Sequence, residues 1–174
     1  MQETTLATEP VTRRAAGQDG DALVDAVLGA SRALVGVAAR SLSTVAEDVT
    51  LAQYRALVVL ASRGPQRLAD LATALVVEPS TATRMCDRLV RKRLVARRRS
   101  SEDRRAVRVS LTPSGGALIA EVSRRRRVEI AQIMRRLPKA QRPVVLRALR
   151  AFADAAGEVP EQDWSLGWDL DRDE

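Results

Sequence analysis

The residues best equipped to do chemistry in this chain are arginines, and they gather in one stretch. Between Glu78 and Leu111 stand eleven Lys or Arg against four Asp or Glu. That excess of seven equals the formal net charge of the whole 174-residue chain, +7. A guanidinium forks onto phosphate oxygens or onto the edge of guanine, and cation–phosphate contact releases condensed counterions. The partner this favours is nucleic acid. A GC-rich genome also raises arginine content, but it would not concentrate the charge in one window. The rest of the inventory argues against an enzyme. There is no histidine and one cysteine, so the common zinc sites and histidine-based acid–base catalysis are excluded. No Gly-rich phosphate loop and no plausible carboxylate cluster stand in their place. No cofactor and no metal are expected. One cysteine cannot form an intrachain disulfide, which makes a reducing cytoplasm the simplest location. No apolar run of transmembrane length is read, and the polar start lacks a signal peptide's apolar stretch, so no membrane partner is expected.

The elements that must position these arginines follow from periodicity. Residues 1–20 hold few large apolar residues and read as a disordered extension. From Leu23 to Val45 apolar residues recur at three- and four-residue steps, one stripe of a long helix. Thr50 and Gln53 form a capping box that starts a second helix at Leu51, and Gly64-Pro65 ends it. Its inward face holds Tyr54, Leu57, Val58 and Ala61. A third helix is expected from about Gln66 to Leu75. A fourth starts at Pro79, which suits a first helical position, and places Ala82, Met85, Cys86, Leu89 and Val90 inward. Residues 94–99 and 106–111 are extended runs joined by a polar connection, a β-hairpin. Thr112-Pro113 opens a fifth helix reaching Arg136. A sixth covers 138–156, with Val145, Leu146, Leu149, Phe152 and Ala153 inward.

Two short helices followed by a basic hairpin make a winged helix-turn-helix, spanning 50–111. In that geometry the second helix enters the major groove and presents its first turns to base edges. Ser80, Thr81, Thr83, Arg84 and Arg88 are the candidate DNA-binding residues there. Arg84 is long enough for a base edge or a phosphate, and the sequence does not separate the two. The hairpin adds Arg99, Arg104 and Arg105. The long helices, 21–46, 113–136 and 138–156, carry more apolar surface than a small winged domain can cover, so they are expected to form the dimerisation layer of a homodimer. The fold class is therefore mainly α with a small β-hairpin wing (α+β), built on a domain over 21–157 with an acidic tail over 158–174.

Three segments resemble the MarR (multiple antibiotic resistance regulator) family. They are Gln66-Arg67-Leu68-Ala69-Asp70-Leu71-Ala72, Ser80-Thr81-Ala82-Thr83-Arg84 with Asp87-Arg88-Leu89-Val90, and Asp103-Arg104-Arg105 followed by a strand and Leu111-Thr112-Pro113-Ser114-Gly115. The resemblance covers roughly Asp21 to Gly157. It implies a sequence-specific, double-stranded-DNA-binding regulator, a dimeric repressor of a pseudo-palindromic operator, released by a small aromatic or phenolic effector. It also implies that Asp103 orients a wing arginine, Arg105 or Arg104, into the minor groove; a plain salt bridge within the hairpin is the simpler alternative. The family usually ends its recognition helix with glycine where this chain has Arg93. A rival function is a sequence-tolerant architectural DNA binder, which would bind unrelated duplexes alike.

Other residues carry weaker signals. Tyr54 is either a core residue or part of an effector pocket. Cys86 falls on a buried face, where a thiol is inert. Arg124 to Arg127 span a full helical turn, so they make no single binding face. Trp164 and Trp168 lie in the acidic tail, and either pack it down or leave it disordered.

Overall fold

The computed structural model describes residues 11–99 and 107–164 and divides the chain into two units between Val37 and Ala38. The elements run α1 (Val11–Val45), α2 (Leu51–Arg63), β1 (Gln66–Arg67), α3 (Leu68–Leu75), α4 (Pro79–Arg91), β2 (Val95–Arg99), β3 (Val107–Leu111), α5 (Pro113–Arg136) and α6 (Arg142–Ala155). A single 3-10 turn, Lys139–Gln141, precedes α6.

Local signals set most of these boundaries. Thr50 accepts from the Gln53 amide at 3.2 Å while the Gln53 side chain accepts from the Thr50 amide at 3.2 Å, so the capping box starts α2 as expected. Thr112 caps α5 by accepting from the Gly115 amide at 3.1 Å. Two boundaries differ from expectation. The first helix begins at Val11 rather than Asp21, because Arg13, Arg14, Ala15 and Ala16 are strong helix formers that need no apolar stripe to continue a helix. Gln66 and Arg67 are not the start of α3 but a short strand, paired antiparallel with Val109 and Arg108. The wing is thus one side of a three-stranded sheet ordered β1-β3-β2. A two-residue strand has no periodicity of its own; its partner, some forty residues on, creates it.

The core of the second unit is aliphatic. Leu57 and Leu60 of α2, Leu71 of α3, Leu89 of α4, Val95 and Val109 of the sheet and Val122 of α5 are almost fully buried and form one cluster. Val90, expected inward, lies at its margin and is 36% exposed. On α6, Leu146, Leu149 and Phe152, also expected inward, are about half exposed in the single chain. Their spacing marks a packing face, but this chain alone supplies no cover for it. Within the first unit Leu23, Val24, Leu28, Leu34 and Val35 are likewise exposed. By length and composition alone Gly20–Val45 is apolar enough to span a membrane, contrary to the expectation that no run reaches that length. The reason is that Gly and Ala fill the gaps between larger apolar residues. Arg32 and Arg40 interrupt the segment, and a central arginine is costly in hydrocarbon.

Among the described residues two turns carry non-glycine residues with positive φ: Val76 (φ 54°) after α3 and Arg93 (φ 57°) after α4. At Arg93 the Leu94 amide donates to the Leu89 carbonyl at 3.0 Å and the Arg93 amide to the Val90 carbonyl at 2.8 Å, a Schellman closure normally built on glycine. The Thr112 hydroxyl donates to the Arg93 carbonyl at 2.6 Å and braces the turn. Arg93→Gly is expected to raise stability by about 1 kcal/mol, since only glycine adopts this conformation freely. A denaturant midpoint that stays put or falls would show that the turn is unstrained.

Candidate nucleic-acid interface

α4 is built to leave its first turn accessible. Glu78 stands at its N-cap without a side-chain cap hydrogen bond, and Pro79 occupies the first helical position. Amides at such a helix start attract phosphate. Ala82, Cys86 and Leu89 are buried, which orients the helix and turns Ser80, Arg84, Arg88 and Arg91 outward; Thr81 and Thr83 are half-buried. The Thr83 hydroxyl donates back to the Pro79 carbonyl at 2.9 Å. It therefore offers an approaching duplex its methyl group and a lone pair, a surface suited to a thymine methyl. Arg84 makes one long contact, to the Thr81 hydroxyl at 3.5 Å. Among the described residues neither Arg84 nor Arg88 has an acidic partner, so both charges stay uncommitted inside the protein.

Among the described residues two ion pairs frame this helix, and neither follows from local spacing. Lys92, just past its end, pairs with the Asp48 carboxylate and donates to the Asp48 carbonyl at 2.8 Å. Lys92 thereby holds the Asp48 carboxyl below its usual range. Arg97 of β2 pairs with Asp87 at 2.8 Å and donates to the Thr83 carbonyl at 3.4 Å. Both links join residues far apart in the chain, so spacing alone does not reveal them. Asp103, Arg104 and Arg105 lie outside the described residues, and of Arg99 only its place in strand β2 is described.

Cys86 is fully buried, and burial pushes its thiol pKa up. Tyr54 is also buried in the core, yet its hydroxyl lacks a hydrogen-bond partner. Of the arginine run, Arg124 and Arg125 both grip Glu121, at 2.8 and 2.6 Å, and Arg127 pairs with Glu161 at 2.8 Å. The Arg124 and Arg125 hydrogen bonds hold the Glu121 carboxyl down to about 2 from an ordinary 4.5. A depressed carboxyl contributes its stability above the unfolded value and loses it as pH falls toward the folded one. An NMR titration should place the Glu121 midpoint near 2; a midpoint close to 4.5 would show that the two arginines do not hold it.

Beyond α6 the chain turns back at Gly157 (φ 67°). Glu158 then pairs with Arg55 of α2, with a second contact at 3.1 Å, and Trp164 packs against the core while donating to the Val159 carbonyl at 3.0 Å. Residues 165–174, including Trp168, lie outside the described part.

A short helix whose Arg84 and Arg88 have no acidic partner among the described residues, packed on the helix before it and set beside a three-stranded sheet, defines a winged helix-turn-helix protein. Comparison with known proteins narrows the class. The MarR family model matches residues 49–107. The HTH-type transcriptional repressor MdtR of Bacillus subtilis is 31% identical over 121 residues, 70% of this chain and 78% of that protein. The crystal structure of RV1404 from Mycobacterium tuberculosis is 43% identical with a TM-score of 0.77, covering 80% of this chain and 95% of that one. A MarR family protein from Bacillus stearothermophilus shares the fold at 24% identity and a TM-score of 0.72, over 82% of this chain and 98% of its own. This chain belongs to the MarR family. It is a DNA-binding transcriptional regulator and not an enzyme.

Proposed function

We propose that the protein is a homodimeric repressor that binds a pseudo-palindromic operator in double-stranded DNA and is released by a small aromatic or phenolic ligand. The observation that carries this reading is the outward face of α4: a helix start without a side-chain cap, followed one and two turns on by Arg84 and Arg88, which have no acidic partner among the described residues. Ser80, Thr81, Thr83, Arg84 and Arg88 contact the major groove. Arg99, Arg104 and Arg105 serve the wing, with Asp103 orienting one of the last two. The repressor named among the relatives, MdtR, supports the sign of regulation. The uncovered apolar residues of α1 and α6 support a second copy as their cover, since burying a leucine or phenylalanine side chain is worth about 1.5–3 kcal/mol. The unpartnered Tyr54 hydroxyl supports an effector pocket beside α2, in which a ligand acts by favouring one spacing of the two recognition helices. The reading places the protein in the cytoplasm with no membrane partner.

Selection of bound sequences from random duplex DNA, repeated with a panel of phenolic acids, tests this. The expected result is an inverted repeat with half-sites about 10 bp apart, bound at least about 10³-fold better than random duplex. Equal affinity for unrelated duplexes would instead establish an architectural binder. A selected site whose occupancy no phenolic acid changes would remove the effector from the reading.

A further inference from the structure

We infer that Asp87 and Arg97 are a positioning pair for DNA binding: their contact fixes strand β2, and with it the wing, at one height along the recognition helix. The inference rests on the DNA-binding reading above. A winged protein engages two grooves with two separate elements, so the offset between helix and wing must match the duplex. The sheet order β1-β3-β2 makes β2 an edge strand, with a ladder on one side only. Its other edge faces no strand among the described residues. Arg97 ties this strand to α4. The guanidinium reaches the Asp87 carboxylate at 2.8 Å and the Thr83 carbonyl at 3.4 Å, groups one helical turn apart on one face. Two acceptors at different heights resist sliding in a way that one would not. Arg84 and Arg88 on the same helix have no acidic partner among the described residues. Arg97 is therefore committed to the protein while its neighbours stay available for DNA.

The test compares Asp87→Asn, Arg97→Ala, the double variant and Arg97→Lys in the full chain. Each is measured on the selected operator and on random duplex across a salt series, with hydroxyl-radical footprints. Asp87→Asn and Arg97→Ala should each weaken operator binding by on the order of tenfold, and the double variant by no more than either. Protection at the flanking minor grooves should fade while central protection persists. Arg97→Lys, which keeps a charge for Asp87, should retain most of the affinity. Thermal melting should barely move, because an exposed ion pair contributes little to stability. If Arg97 holds phosphate instead, Arg97→Ala will lower the salt slope by about one on every duplex and Asp87→Asn will not reproduce it. That result overturns the proposal, as do additive losses or a uniform fading of both footprints. Failure of the unmodified protein to bind any duplex would overturn the DNA reading and the pair's role with it.

Discussion

Gly115→Ala is expected to destabilise the protein by about 3 kcal/mol, and to lower its melting temperature by roughly 6–12 °C at fixed protein concentration. Gly115 sits in the first turn of α5, where its backbone lies directly against Leu94, the residue before β2. A Cβ there would fall far inside van der Waals contact distance of the Leu94 carbonyl oxygen and 3.0 Å from Leu111 Cδ2. Neither neighbour has room to yield. The Leu94 carbonyl accepts from the Thr112 amide at 3.1 Å, and Leu111 is paired with Val95 in the sheet. Relief requires either α5 to lift or the base of the wing to shift. This gives a physical reason for the glycine in the Leu-Thr-x-x-Gly signature: it permits contact between helix and strand. Gly29→Ala is the control of opposite sign. Gly29 lies inside α1, with only the end of Arg32 near its virtual Cβ, at 3.8 Å. Alanine there should add up to about 1 kcal/mol by restricting the unfolded chain. A melting temperature unchanged by Gly115→Ala would mean that the helix–strand contact is loose, and that the signature glycine needs another explanation.

Arg84→Ala should weaken binding to the selected operator by about 1–3 kcal/mol, roughly 5- to 150-fold, while random-duplex affinity falls far less. Arg84 is exposed in the second turn of α4, and its one hydrogen bond among the described residues is the 3.5 Å approach to Thr81. Removing it disturbs no packing, so stability should stay within about 0.5 kcal/mol. The comparison between duplexes decides its role. A base-reading arginine loses affinity mainly where its base is present, because a bidentate contact to guanine is what disappears. An equal loss on both duplexes would assign Arg84 to phosphate and leave base reading to the other exposed residues of the helix.

Much of this fold is legible in the sequence because the relevant signals are local. The Thr50–Gln53 box, Pro79 at a helix start and Thr112-Pro113 each act within one turn, and the structure places helices there. The strained turn at Arg93 was also foreseeable, since an expected glycine was missing. The features that escaped depend on partners distant in the chain. Gln66 and Arg67 become a strand only because Val109 and Arg108 lie beside them. Asp87 looks like an ordinary helix-surface acid until β2 brings Arg97 to it. Val76, a β-branched residue in left-handed backbone and 89% exposed, gave no warning because Leu75-Val76-Val77 reads as an apolar run. The α6 stripe is legible as amphipathic, but a single chain's periodicity does not say what covers it. Of the candidate site, the α4 residues fall together on an open face, while the Asp103 to Arg105 part stays an expectation.

The turn-back beyond α6 has a practical consequence. Among the described residues no tryptophan is buried in the core; the sequence has two, Trp164 and Trp168. Trp164 is held by the Val159 carbonyl and rests on the aliphatic cluster, next to acids that clasp Arg55 and Arg127. Intrinsic fluorescence of this protein is thus a gauge of whether its last turn is seated, and far-ultraviolet dichroism a gauge of its helices. Where the two curves part during denaturation, the interval between them measures how firmly that terminal clasp is fastened.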